Sequence, residues 1–76
     1  LENSILVFPN PTNNLIYIES SPELELQEII LYNTRGTTIK RKFINNSIDI
    51  TNLNSGIYFL SLKSSQGTVT KKIIKN

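Results

Sequence analysis

Cysteine, methionine, histidine, tryptophan and alanine are all missing from these 76 residues, and aspartate occurs once, as Asp49. Without cysteine and histidine there is no disulfide, no thiol nucleophile and no Cys/His zinc site. The same absences remove the usual nucleophile–base pairs, and Glu23, Glu25 and Glu28 cluster too closely along the chain to flank a sugar from two sides. A solvated loop and strand edge accounts for them better. Glu19, Glu23 and Glu25 do not follow the spacing of a calcium-binding loop. No enzymatic activity and no cofactor are therefore expected. The lack of cysteine leaves the redox compartment open, since disulfide-free proteins occur on both sides of a membrane.

Long apolar runs are also missing, so these residues contain neither a signal peptide nor a spanning helix, and no direct membrane insertion is expected. The sequence starts at Leu1 rather than methionine, which fits a piece of a longer polypeptide with any export signal upstream. Its length suits one domain, residues 1–76, near the lower limit of what folds without disulfide or metal.

What is abundant points to strands. Isoleucine, valine and threonine, all β-branched, supply 21 residues, and such side chains fit a pleated surface better than a helix. No apolar stripe recurs at helical spacing. Seven short runs read as strands: Ile5 to Phe8, Leu15 to Ile18, Leu26 to Tyr32, Thr37 to Phe43, Ser47 to Ile50, Ile57 to Lys63 and Thr68 to Ile74. Alternation assigns Tyr58, Leu60 and Leu62 inward against Ser61 and Lys63 outward, and Ile48 and Ile50 inward around Asp49. Ile29 and Leu31 belong to the core by the same rule, with Tyr32 on the other face.

All three glycines close similar segments, Asn33 to Gly36, Leu53 to Gly56 and Ser64 to Gly67. A type I turn followed by a left-handed residue calls for glycine at that place. The first and third segments read as hairpins, and the second starts a strand after a connection. Short antiparallel connections with no helix to cover a face imply two packed sheets, hence an all-β, small immunoglobulin-like antiparallel sandwich of about seven strands.

Charge is unevenly spread: residues 1–34 carry five glutamates and no cation, and residues 35–76 carry eight cations against Asp49. Arg35, Lys40, Arg41 and Lys42 with Lys71, Lys72 and Lys75 would form a basic patch if they converged. Strand alternation separates Lys40 and Lys42 from Arg41, and no aromatic residues are interleaved as stacking platforms, so no nucleic-acid binding is expected. Ten asparagines form no repeat or low-complexity tract and are consistent with an AT-rich genome.

Two further features stand out. Pro9-Asn10-Pro11-Thr12 follows Val7-Phe8, and its prolines fix a kink between the first two strands. The second is the block Leu53-Asn54-Ser55-Gly56-Ile57-Tyr58-Phe59-Leu60, followed by the Gly67 hairpin and Lys71-Lys72-Ile73-Ile74-Lys75. With Ile29-Ile30-Leu31-Tyr32-Asn33-Thr34-Arg35-Gly36 these segments resemble the type A C-terminal sorting domain of the type IX secretion system. The resemblance spans nearly the whole chain and keeps the family's order: V-x-P-N-P, an I-x-N-x-x-G-like hairpin, L-x-x-G-x-Y-x-L and a lysine-bearing last strand. The sequence departs from it at Asn76, where many members have lysine or arginine.

The resemblance implies a non-enzymatic C-terminal secretion signal on a secreted or surface protein. Its parent crosses the inner membrane by an ordinary signal peptide, folds in the periplasm and is directed through the outer membrane. The implied partners are outer-membrane shuttle, translocon and sortase proteins and the N-terminal cargo domain of the same chain. In such proteins a sortase commonly removes the domain and joins the cargo to a surface lipopolysaccharide, and other cargo is released. Pro9, Asn10 and Pro11 match the opening motif, Gly36 the mid-domain glycine, Gly56 and Tyr58 the late motif, and Lys72 and Lys75 the terminal basic residues. Lys71, Lys72 and Lys75 are the candidate recognition residues, because a free last strand offers backbone edge and charge together. Gly36 and Gly56 also suit a purely conformational role, and Tyr58 a place in the core. The competing reading is an Ig-like accessory module that binds carbohydrate or protein, for which Tyr17 and Tyr32 are the exposed aromatic candidates.

Overall fold

Period-two alternation over short β-branched runs produces strands, and the computed structural model, which describes residues 4–76, is built from them without a helix. The eight strands are β1 (Ile5–Phe8), β2 (Leu15–Ser20), β3 (Leu26–Asn33), β4 (Thr38–Ile39), β5 (Phe43–Ile44), β6 (Ser47–Asp49), β7 (Gly56–Ser64) and β8 (Gly67–Lys75). Glu2, part of the acidic half of the chain, and Leu1, where the sequence starts, lie outside the described residues. The strands form two four-stranded antiparallel sheets, ordered β1-β2-β6-β5 and β4-β3-β7-β8. Each consecutive pair is a hairpin, and the hairpins alternate between sheets. The central pairings β2 with β6 and β3 with β7 join hairpins that are not neighbours in sequence.

One expected strand is two. The run Thr37 to Phe43 pairs with β3 only at Thr38 and Ile39, and with β6 only from Phe43 onward. Between them exposed Lys40, Arg41 and Lys42 carry the chain from one sheet to the other. A strand through this run would place three consecutive cations along one ladder, whereas a crossing leaves all three in water. The expected alternation of Lys40 and Lys42 against Arg41 therefore does not apply.

The hairpins at Gly36 and Gly67 and the strand start at Gly56 form as expected. A further hairpin joins β5 to β6 through Asn45 and Asn46, both with positive φ, 53° and 62°. That is the conformation of a two-residue primed turn, and asparagine tolerates it better than most residues. The Phe8-Pro9 and Asn10-Pro11 peptide bonds are cis.

The core lies between the sheets. Ile5, Ile16, Ile50, Leu60, Leu62 and Ile73 are completely enclosed, each such side chain stabilising the fold by about 1.5–3 kcal/mol. Tyr58, Leu31 and Ile48 are buried and Ile29 packs against them, as alternation requires. Leu24, in the connection between β2 and β3, joins the same core from outside any strand.

Candidate functional site

Strand β8 is an outer strand of its sheet, paired along its whole length with β7 from Gly56↔Lys75 to Ser64↔Gly67. Ile74 turns both backbone groups away from β7: its N–H donates to Asn10 Oδ1 at 2.9 Å and its C=O accepts from Thr12 N–H at 2.9 Å. Backbone groups alternate in direction along an antiparallel ladder. Residues 68, 70, 72, 74 and 76 therefore present their polar groups at the edge. The Lys72 C=O accepts from Asn10 Nδ2 at 2.8 Å, and Asn76 N–H donates to Thr12 C=O at 2.9 Å. The Pro9–Thr12 segment thus covers the distal half of the edge, with Thr12 and Lys75 in a parallel bridge. Among the described residues the last strand is left as an open edge nearer the hairpin, at Thr68 and Thr70.

The three lysines are not equivalent. Lys72 is exposed on the outer face of the sheet, level with Phe59 and Tyr32 across the ladders. Those two rings stack at 5.6 Å. Lys71 and Lys75 share the inward register of Val69 and Ile73, with Lys71 half-buried and Lys75 only 8% exposed. The Lys75 stem lies within the protein while its Nζ reaches the Asn76 carbonyl oxygen at 3.2 Å, the arrangement by which a long cationic side chain buries its methylenes. The pattern Val69, Lys71, Ile73, Lys75 carried that signal in the sequence.

Tyr58 is a core residue whose hydroxyl donates to the Asn54 carbonyl oxygen at 2.6 Å. It ties the connection before β7 to the strand, much as a tyrosine corner does in other sandwiches. Gly56 and Gly36 have φ of 150° and 84°, with open space where a Cβ would stand. Backbone conformation, not a close neighbour, calls for glycine there. Gly56 and Tyr58 sit opposite Lys75 and Ile73 on the neighbouring strand. Asn10 reaches the same strand, whereas Gly36 lies in the β3–β4 turn, two strands removed from β8. Pro9 and Pro11 are exposed on either side of Asn10.

The cations do not merge into one patch. Arg35 and the Lys40–Lys42 crossing belong to the β4 side of the sheet and Lys72 to the opposite edge. A recess of about 180 Å³ is lined by Ile29, Leu31, Ile39, Phe43 and Ile48 among others, with Lys40 and Arg41 but no carboxylate. The one aspartate is committed locally: the Asp49 carboxylate accepts from Thr51 Oγ1 at 2.6 Å and Thr51 N–H at 2.9 Å. Those bonds, hydroxyl first, hold its pKa below the ordinary carboxylate value, with a smaller contribution from Arg41.

Residues 6–76 match the family model described as the secretion system C-terminal sorting domain. No curated protein matches the chain. Sorting tails of this family mark proteins sent across the outer membrane, to the cell surface or beyond it, and as a family they are not catalysts. The match takes in every motif from Val7 to Lys75 and agrees with the two-sheet sandwich, and the chain belongs to the type IX secretion C-terminal sorting domains.

Proposed function

We propose that outer-membrane components of the type IX machinery read this domain at β8, through the outward backbone of Thr68 and Thr70 and the exposed ammonium of Lys72. The observation that carries this reading is the position of Lys72: it is exposed on an outer strand, level with the stacked Phe59 and Tyr32 rings. An extended partner segment gains affinity there from main-chain bonds and selectivity from the adjacent side chains. Pro9, Asn10, Pro11, Gly56, Tyr58 and Lys75 shape and hold that strand end rather than forming its contact surface, and Gly36 serves the distant β3–β4 turn. After export a sortase separates the domain from its N-terminal cargo, which is anchored at the surface or released.

Appending residues 1–76 with their native upstream linker to a periplasmic reporter is expected to bring the reporter to the cell surface in a host with this machinery. Retention of a well-folded fusion in the periplasm of the native host refutes the reading. In the same fusion Lys72→Gln separates recognition from folding, because removing a solvent-facing charge usually changes stability by less than about 0.5 kcal/mol. Display is expected to fall at unchanged melting temperature, and unchanged display would remove Lys72 from the signal.

A further inference from the structure

The outward groups of β8 are closed by an unusual device. Asn10 contributes no paired strand backbone; its side-chain amide alone takes the Lys72 C=O and the Ile74 N–H, across 62 and 64 residues of sequence. One amide group thereby imitates the edge of a neighbouring strand. Pro9 and Pro11 have no N–H to donate, so the segment does not extend the sheet around Asn10. Its two ends differ in anchorage. Thr12 is 3% exposed and its Oγ1 donates to the Leu15 carbonyl at 2.7 Å, whereas Asn10 and both of its bonds are exposed.

We propose that Pro9–Thr12 is a strap that closes the outer edge of β8 in the free domain, and that its Asn10 end lifts so that an extended acidic segment of an outer-membrane partner can add beside β8. The partner's place rests on the reading of β8 given above. The strap satisfies four groups: the C=O of Lys72, both groups of Ile74 and the N–H of Asn76. An added strand replaces the two Asn10 bonds, while Thr12 keeps its own, and also takes the outward groups of Thr68 and Thr70, so the exchange gains pairing. Solvent-exposed bonds open at low cost, which suits a closure that must give way. A second copy of the chain fits poorly, because pairing β8 with itself would bring the exposed Lys72 ammonium groups of both copies to one face, and like charges across a ladder are destabilising. An acidic segment complements them.

The test compares residues 1–76 with Asn10 intact and as Asn10→Ala, by amide hydrogen exchange and by binding to outer-membrane vesicles from the native host. Loss of the side-chain bond is expected to speed exchange at the Ile74 N–H by about fivefold or more, with the Leu60 and Leu31 amides unchanged. Vesicle binding is expected to rise severalfold, since the binding-competent state no longer has to be opened first. Unchanged Ile74 exchange in a folded variant overturns the strap. Faster exchange with weaker vesicle binding overturns the gate, because Asn10 would then belong to the surface that is read. If Asn10→Ala disturbs the core amides, Asn10→Ser, too short to span both groups, takes its place with the same two readouts. Absence of vesicle binding by either form refutes the reading of β8 and the partner named here, while exchange alone still decides whether Asn10 holds the edge.

Discussion

Replacing Tyr58 by phenylalanine removes one oxygen atom and leaves the buried ring in place. The loss is the 2.6 Å bond to the Asn54 carbonyl, which spans the connection leading into β7. A neutral hydrogen bond contributes about 0.5–1.5 kcal/mol net, and a partly buried acceptor left without its donor brings the cost toward the upper end. About 1 kcal/mol lowers the melting temperature of a domain this size by about 4–8 °C. Thermal unfolding followed by circular dichroism, with urea titrations at constant m-value, measures both quantities. Leu60→Ala supplies the scale: it empties a completely enclosed site at about 2–5 kcal/mol. A change below about 0.3 kcal/mol in Tyr58→Phe, less than any ordinary hydrogen-bond contribution, would refute the anchoring role of the hydroxyl. Loss of surface display at unchanged stability would show instead that a partner reads Tyr58 directly.

Lys75→Gln is expected to destabilise the domain more than Lys72→Gln, because Lys75 is 8% exposed and Lys72 lies in solvent; equal melting temperatures would contradict that difference. Acid should act through Asp49, whose folded pKa is depressed: its contribution is present above the ordinary carboxylate range and is lost as pH falls through the folded value. Asp49→Asn should therefore flatten part of the fall in melting temperature between neutral and strongly acidic pH, and an identical profile in both proteins would remove Asp49 from the account. Asn46→Val should cost about 1–2 kcal/mol, since a β-branched residue at positive φ is strained, whereas Asn46→Gly should be tolerated; urea unfolding compares the two. Purified domain should neither turn over glycan or peptide panels nor bind a glycan array selectively. Tight selective sugar binding would favour the accessory-module reading, with the stacked and partly exposed Phe8 and Tyr17 rings as its platform.

Where a strand alternates cleanly, its facing was legible in the sequence. Tyr58, Leu60 and Leu62 on β7 and Ile48 and Ile50 around Asp49 sit as the two-residue period demands. The break inside Thr37–Phe43 was not legible, because Ile39 and Phe43 are four residues apart and suit one continuous strand as well as two short ones in different sheets. Asn45-Asn46 lacks the glycine that marks most primed turns and was lost among ten asparagines. Leu24 is buried from a connection, where periodicity says nothing. At the candidate site the motif residues could be found, but not what they do. Nothing local in Pro9-Asn10-Pro11 announces that its asparagine will hold a strand more than sixty residues away. Lys75 was hard to place for a different reason: its charge suits solvent, whereas the alternation of β8 sets it on the same side as Ile73.

The alternating hairpins carry one more consequence, for the order in which the chain becomes available during synthesis. β8 is the last of the described strands in chain order, yet it supplies Val69 and Ile73 to the core and, among the described residues, the only strand beside β7 on that side. It also supplies the groups that fasten the Asn10 loop. A polypeptide truncated before β8 leaves the sandwich open on that flank, with β7 paired only to β3 and Asn10 without the β8 groups it holds. The fold thus closes only once the chain has been translated through β8.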